Sequence, residues 1–401
     1  MADRRQISVL TATTLFPNGA APSHGIFVKN RLKKVIATGE ITSRVVAPVG
    51  WVPPLISYPG AAHLRSIPAK EQLDGIEVDH PRYIIIPKIG MTITPYFLYR
   101  AMKSAVGMIL ASGQRIDLID AHYFYPDGVA AMRVARDFNL PIVITARGTD
   151  LNLIPQYAVP RRMIQETARQ ADGLITVCAA LKEPLLDLGI PPDRVTVLRN
   201  GVDLEFFHLL PREEARRHFD LKHRTLASVG HLIERKGHHH VIAALPKLPD
   251  TNLIIAGDGE EKAALQQLAV RLNVADRVIF LGSVNQQTLR ILYNAVDALV
   301  LASSREGWAN VLLESMACGT PVIASSVWGT PEVVASPAAG VLMPSLDSDG
   351  IVAAYGSLFA RLPERTATRA YAEQFSWEPT TEGQLALFRA SIAGHGRGSS
   401  K

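Results

Sequence analysis

DALVLASSREGWANVLLESMACGTPVIAS, residues 297–325, decides the fold. DALVLAS and PVIAS are short, continuous apolar runs, the pattern of strands buried on both faces of a parallel sheet. Between them a Gly-Trp loop leads into a helix that starts near Ala309. Strand, helix, strand is the unit of a doubly wound α/β sheet. Two glutamates bracket the helix start: Glu306 in the loop, and Glu314 on a helix otherwise written in Val, Leu, Met and Ala. A carboxylate on a core-facing helix is costly unless something pairs with it. The expectation is that ligand hydroxyls, rather than protein groups, satisfy both.

The same grammar extends outward in both directions. ISVLTAT, SRVVAP, YIIIP, IDLIDA, PIVITA, GLITV and VTVL precede it, and TLASVG, NLIIAGDG, RVIFLG and GVLMP complete the second half. Amphipathic segments such as EKAALQQLAVRLN and QQTLRILYNAV lie between. These are too many strands for one sheet of usual size. A break falls in VLRNGVDLEFF, residues 197–207, where a strand ends at an Asn-Gly turn and the charged stretch PREEARRHF begins anew. Two Rossmann-like domains follow, 1–204 and 205–370, with a ligand cleft expected beyond the carboxyl ends of their strands. GHGRGSSK at the end of the chain reads as a loose tail.

Composition excludes several classes. The 401 residues are 47% hydrophobic and 20% charged, ordinary globular usage. The longest uncharged run, Val45 to Leu64, is broken by prolines and glycines and cannot be a spanning helix. No signal peptide is visible. Two cysteines, Cys178 and Cys318, give neither a disulfide framework nor a metal spacing, and a cytoplasmic location fits best. Net charge is +5, but residues 1–200 hold 23 Lys/Arg against 16 Asp/Glu. A basic half suits an acidic partner or is simply a mixed solvated surface. No nucleic-acid recognition motif accompanies the charge, so nucleic acid is not an expected partner.

Two strand-to-helix turns are candidates for phosphate. In VGHLIERKGHHH a strand ends at Gly230, and Arg235, Lys236 and Gly237 precede the next helix. Cations and free helix amides there suit a diphosphate; they also suit a plain solvated basic turn. In SSREGWANVLLE, Gly307 lets the backbone come near a ligand, and the amides of Trp308 to Asn310 begin a helix. Glu306 accepts hydrogen bonds only, which suits sugar hydroxyls, and Glu314 suits the vicinal hydroxyls of a ribose. Trp308 suits stacking on a sugar face or plugging its own loop. His238, His239 and His240 face different ways on a helix, and no cluster has metal-ligand spacing, so no metal is expected. GxGxxG is absent after the first strand, against a nicotinamide cofactor.

EGWANVLLE followed by ACGTPVIA resembles the glutamate-seven-residues-glutamate motif of retaining glycosyltransferases of family 4, which have the GT-B fold. GHLIERKG resembles that family's diphosphate turn, IIAGDGEE and VIFLGSV its next two strands, and VLRNGVD its domain hinge. FSWEPTTEGQLALF resembles its closing helix, here about 376–395, which returns to the first domain. FPNGAAPSHGIFVKNRL, AHYFYPDG and TARGTD look like bacterial members that build cell-surface polysaccharides and lipid-linked oligosaccharides.

The resemblance implies roles. Lys236, with Arg235, would hold the diphosphate of a nucleotide-sugar donor, alongside Gly230 and His231. Glu314 would bind the ribose. Glu306 and the backbone of Gly307, Trp308, Ala309, Asn310 and Val311 would hold the sugar. Gly282 and Ser283 would flank the base. The loop from Gly19 to Gly25 would come near the sugar and acceptor, with His122 or Arg147 lining the cleft. Two departures stand out. His231 occupies the place where the family usually has Arg, and Arg147 the place where many members have His. Arginine is a permanent cation and cannot serve as a general base.

The implied activity is metal-independent transfer of a sugar, with retention, from a nucleotide diphosphate sugar to a glycan or polyprenyl-diphosphate-linked acceptor. The donor would be a substrate, and no cofactor is expected. KNRLKK, residues 29–34, and PYFLYRAMK suggest peripheral contact with an anionic membrane, or are the polar faces of ordinary helices. A nucleotide-sugar epimerase of the same architecture and a non-catalytic nucleotide-sugar binding protein are the alternatives.

Overall fold

Strands form where the sequence runs short and apolar. The computed structural model describes residues 5–53, 61–86 and 90–398. The chain divides into two units, the first made of residues 1–198 with 379–401 and the second of residues 199–378.

In the first unit the strands are β1 (Ile7–Ala12), β2 (Ile41–Val46), β3 (Val49–Trp51), β4 (Lys70–Leu73), β5 (Ile76–Asp79), β6 (Arg82–Ile84), β7 (Leu118–His122), β8 (Ile142–Ala146), β9 (Gly173–Thr176) and β10 (Val195–Val197). Eight of them form one sheet in the order β10-β9-β8-β7-β1-β2-β5-β4. Pairing is parallel except between β4 and β5, the hairpin at one edge. The order reverses between β1 and β7, so the crevice at their carboxyl ends is the place where such a sheet receives ligand. Val9, Val28, Leu118, Val143 and Ile175 pack the core.

The second unit carries β11 (Arg224–Val229), β12 (Thr251–Ala256), β13 (Val278–Gly282), β14 (Ala298–Leu301), β15 (Val322–Ser325) and β16 (Gly340–Met343). They form one all-parallel sheet in the order β13-β12-β11-β14-β15-β16. Here the order reverses between β11 and β14. The loops leaving those two strands are the Gly230–Gly237 and Ser303–Ala309 turns singled out from the sequence. Leu226, Val241, Leu253, Ile255, Val300 and Ile323 are fully buried beneath them.

Four expectations change. The boundary lies at Leu198/Arg199 rather than at 204. Val202 N–H bonds the Phe375 carbonyl and Arg369 bonds the Leu204 carbonyl, which ties residues 199–204 to the second unit. YIIIP is not a buried strand: among the described residues β6 pairs only with β3, in a separate two-stranded ribbon, and Ile84 is 41% exposed. KNRLKK is not a free basic face, because Arg31 is fully buried and Lys29 and Lys33 share Asp74. The tail is not loose at its start, since the last helix runs Glu378–Gly398. It buries Leu385 and Phe388 in the core of the first unit, each worth about 1.5–3 kcal/mol. Residues 54–60 of the uncharged run, the last residue of YIIIP and residues 399–401 lie outside the described residues.

Gly237 shows how tightly the second unit's two loops meet. Its φ is +69°, and a Cβ there would sit 1.9 Å from the Ala302 carbonyl oxygen at the end of β14. Gly237→Ala is expected to cost more than about 1 kcal/mol of stability, from the left-handed backbone and the clash together. Urea unfolding of the two proteins measures it.

Candidate functional site

Of the residues assigned to the donor, Gly230, His231, Arg235, Lys236 and residues 306–311 stand on the two loops at the reversal point of the second sheet, and Glu314 follows on the helix that the second of them enters. Gly282 and Ser283 lie apart at the end of β13, and Gly25 lies in the first unit. After β11 the chain makes a single 3-10 turn, Glu234–Lys236, and enters the helix His238–Ala244. Lys236 reaches across to the loop after β14, where its Nζ lies 2.6 Å from Glu306 Oε1. Both side chains are largely buried, 17% and 9% exposed. Arg235 joins the same two loops. Its guanidinium donates to the Arg305 carbonyl at 2.7 Å, and its own carbonyl accepts the Ser304 N–H at 2.9 Å. Two motifs read separately in the sequence are therefore one structure.

Glu306 is thus answered by a protein cation, against the expectation that only ligand hydroxyls satisfy it. Glu314 is corrected in the same way. It lies in the helix Asn310–Ala317, half-buried, and its Oε2 accepts from the Tyr293 hydroxyl at 3.2 Å. Burial pushes the Glu314 carboxyl up to about 7, although the Tyr293 hydrogen bond opposes the shift. Burial and the neighbouring Glu314 hold the Tyr293 hydroxyl well above its ordinary range. Tyr293 was missed from the sequence, where it reads as one apolar position of an amphipathic helix.

Trp308 plugs its loop. It is 7% exposed, its Nε1–H donates to the Asn200 carbonyl at 2.9 Å, and Phe375 packs against its ring. Ala309 caps the helix, Asn310 Oδ1 accepts from the Asn200 side chain at 3.3 Å, and Val311 sits in the first turn. Gly307 is buried beside Trp308. Gly282 ends β13, with its carbonyl accepting the Gly257 N–H at 2.8 Å, and Ser283 beyond it is exposed. His231 is exposed, and its carbonyl faces His238 Nε2 at 3.2 Å. A carbonyl only accepts, so the His238 proton is on Nε2, and Nδ1 accepts from Ser228 Oγ at 2.8 Å. His238, dismissed as a metal ligand, instead braces the turn that holds Gly230 and His231. Burial keeps it neutral, its pKa pulled down to about 4.

The first unit's candidates stand at the reversal point of its own sheet. His122 ends β7 and Arg147 follows β8, and Arg147 Nη2 donates to His122 Nδ1 at 2.7 Å. Asp150, not singled out from the sequence, gathers the backbone N–H groups of Phe124, Arg147 and Gly148 on one carboxylate. Asp127 accepts from the Thr14 backbone and hydroxyl, which anchors the loop that leaves β1, and burial pushes its carboxyl up to about 7. That loop ends at Gly25, whose φ is +61° and whose missing Cβ would otherwise lie 2.2 Å from the Leu15 carbonyl carbon.

Known proteins share this architecture. Sucrose-phosphate synthase from Thermosynechococcus elongatus superposes with a TM-score of 0.79 at 21% identity, covering 97% of this chain and 100% of that one. Anabaena HepE in complex with UDP-glucose superposes at 0.72 with 20% identity, covering 96% of this chain and 100% of that one. The fold is GT-B, two Rossmann-like α/β domains with a closing C-terminal helix. Residues 51–206 match the model of glycosyltransferase family 4, and residues 211–375 that of the glycosyl transferases group 1. The D-inositol 3-phosphate glycosyltransferase of Mycolicibacterium gilvum is 31% identical, over 70% of this chain and 67% of that protein. Its counterpart in Mycobacterium marinum is 33% identical, over 69% of this chain, and the chain spans 64% of that protein's length. The chain belongs to glycosyltransferase family 4.

Glu314 generates a prediction about pH. The folded protein holds the Glu314 proton up to about 7 against an ordinary 4.5, so it binds more protons than the unfolded chain in between. Its contribution to stability is therefore present below about 4.5 and is lost as pH rises through 7. Glu314→Gln, which keeps an acceptor for Tyr293, is expected to flatten that part of the stability profile and to stabilise the protein at pH 8 by about 1–3 kcal/mol. Urea midpoints from pH 4 to 8 measure it.

Proposed function

We propose that this chain is a retaining glycosyltransferase. It moves the sugar of a nucleotide diphosphate sugar to a hydroxyl of a glycan or lipid-linked acceptor in cell-surface polysaccharide synthesis. The observation that carries this reading is the Lys236–Glu306 pair, at the carboxyl ends of the two strands where the second sheet reverses. A dedicated cation and a dedicated acceptor, held side by side, suit the two parts of the donor's reacting end, an anionic diphosphate and the neutral hydroxyls of the sugar. Lys236 meets the diphosphate oxygens, and Glu306 is then released to the sugar hydroxyls. Glu314, held from behind by the buried Tyr293 hydroxyl, meets the ribose.

In the reaction the bond between the anomeric carbon and the diphosphate oxygen breaks. The acceptor oxygen bonds to that carbon on the same face, and its proton passes to the leaving diphosphate. Negative charge grows on the diphosphate, and Lys236 is already in place to stabilise it. Lys236 supplies the charge that a divalent cation would otherwise provide, so activity is metal-independent. Arg147 is a permanent cation and supplies no general base.

Two measurements test this reading. UDP, GDP and their sugar conjugates are titrated calorimetrically after exhaustive chelation. One nucleotide is expected to bind selectively, and turnover of its sugar conjugate is expected to persist without metal. Lys236→Ala is expected to lower turnover by at least about 100-fold, the scale of losing one preorganised electrostatic partner of the transition state. Metal-rescuable inactivity would refute the metal-independent mechanism, and no binding to any nucleotide would remove the donor site.

Membrane contact is assigned to one segment. Among the described residues no helix is long and apolar enough to cross a membrane. The helix Gly90–Ala111 leaves Met91, Tyr96 and Met108 at 42%, 47% and 63% exposure. Arg100 is exposed on the same helix, whereas Lys103 is paired with Asp137, and the segment suits peripheral contact with an anionic inner leaflet through Arg100 and these exposed side chains. Flotation with phosphatidylserine vesicles is expected for the natural chain and is expected to weaken when Met91 and Tyr96 are replaced by serine.

A further inference from the structure

The first unit contains a buried chain of polar side chains that begins on the C-terminal helix. Gln384 sits at 1% exposure in that helix. Its Oε1 accepts from Arg31 Nε at 2.6 Å, and its Nε2 donates to Asp120 Oδ2 at 3.1 Å. The same Asp120 oxygen lies 3.0 Å from His122 Nε2, and His122 Nδ1 lies 2.7 Å from Arg147 Nη2. Arg31 also donates to the Leu198 carbonyl at 3.0 Å.

Partner chemistry assigns the protons. A guanidinium only donates, so His122 Nδ1 accepts. A carboxylate accepts, so His122 Nε2 carries the hydrogen. Both ring nitrogens are therefore committed to protein. Burial pulls the His122 pKa down to about 4, with Asp120 opposing and Arg147 reinforcing the shift, so the ring is neutral near pH 7. Burial and the nearby Arg31 charge draw Arg147 down to about 9, still protonated. The Arg147 backbone N–H is held by Asp150, and its guanidinium carbon lies 5.5 Å over the Phe27 ring. The backbone at Arg147 and its guanidinium are therefore both held.

We propose that Gln384, Asp120 and His122 form a positioning relay that aims the Arg147 guanidinium, and that His122 exchanges no proton with substrate. The relay assigns Gln384, on the returning helix, as a positioning residue for transfer. It explains why an imidazole at the reversal point is sealed in at 1% exposure. Arginine in place of histidine at 147 needs an acceptor beside it, and the unprotonated His122 Nδ1 supplies one. This assignment rests on the transferase reading for its catalytic consequence alone.

Ring 1H–15N spectra of histidine-labelled natural protein from pH 5 to 8 test the relay without any turnover. His122, identified by its loss in His122→Asn, is expected to remain a neutral Nε2–H tautomer throughout. Uptake of a second proton in that range, or an Nδ1–H tautomer, would overturn the relay. Kinetics test its consequence. Gln384→Leu is expected to lower kcat by about 10- to 100-fold, the scale of a hydrogen bond to a charged group. Donor KM should stay within about twofold, because the donor-binding side chains are elsewhere. His122→Asn keeps an oxygen acceptor for Arg147, and its kcat is expected to exceed that of His122→Leu by about tenfold or more. Equal inactivity of the two folded His122 variants, or an unchanged kcat in Gln384→Leu, would defeat the positioning role. Absence of turnover in the natural protein would reject the transferase reading alone, since the ring spectra decide the relay by themselves.

Discussion

The ion pair between Lys236 and Glu306 is the contact on which the second unit's site depends. It links the loops after β11 and β14, two strands that lie side by side in the sheet but are separated by more than two helices in sequence. Arg235 and the backbone of Ser304 and Arg305 add hydrogen bonds across the same seam, and Gly237 lets the loops touch. Paired charges at low exposure keep a fixed geometry because each is costly to separate from the other. A lysine held this way has a defined position between the two loops.

The first unit solves the same problem with a longer chain of contacts. Arg31 is fully buried, and a lone buried guanidinium is expensive. Gln384, the Leu198 carbonyl and the nearby Asp120 charge together offset that cost. The returning helix therefore does more than cover apolar surface with Leu385 and Phe388. It contributes a polar residue to the group that holds Arg147. The two departures from the family pattern also have structural readings. Arg147 is matched by a neutral His122, and the turn bearing His231 is braced from beneath by His238.

Much of the fold was legible. The buried parallel strands were visible as continuous Val, Ile and Leu runs, because a strand covered on both faces needs no polar alternation. YIIIP misled for the same reason: its composition is that of a core strand, but its neighbours leave it in a two-stranded ribbon. KNRLKK looked like a charged surface, since nothing local distinguishes Arg31 from the lysines around it. Tyr293, Asp120, Asp150 and Gln384 were not legible at all. Each is an unremarkable residue within its own segment, and acquires its role only from a partner brought by another strand or helix.

Sequence alone determined the doubly wound architecture, the two glutamates, the basic turn and the family pattern, because periodicity, turn chemistry and short motifs are local properties. Tertiary structure alone decided who pairs with whom. Glu306 meets Lys236, Glu314 meets Tyr293, and His122 gives both its nitrogens to Asp120 and Arg147. The physical reason is that hydrogen bonds and charge pairing act over about 3 Å, a distance that sheet order and helix docking set and spacing along the chain does not.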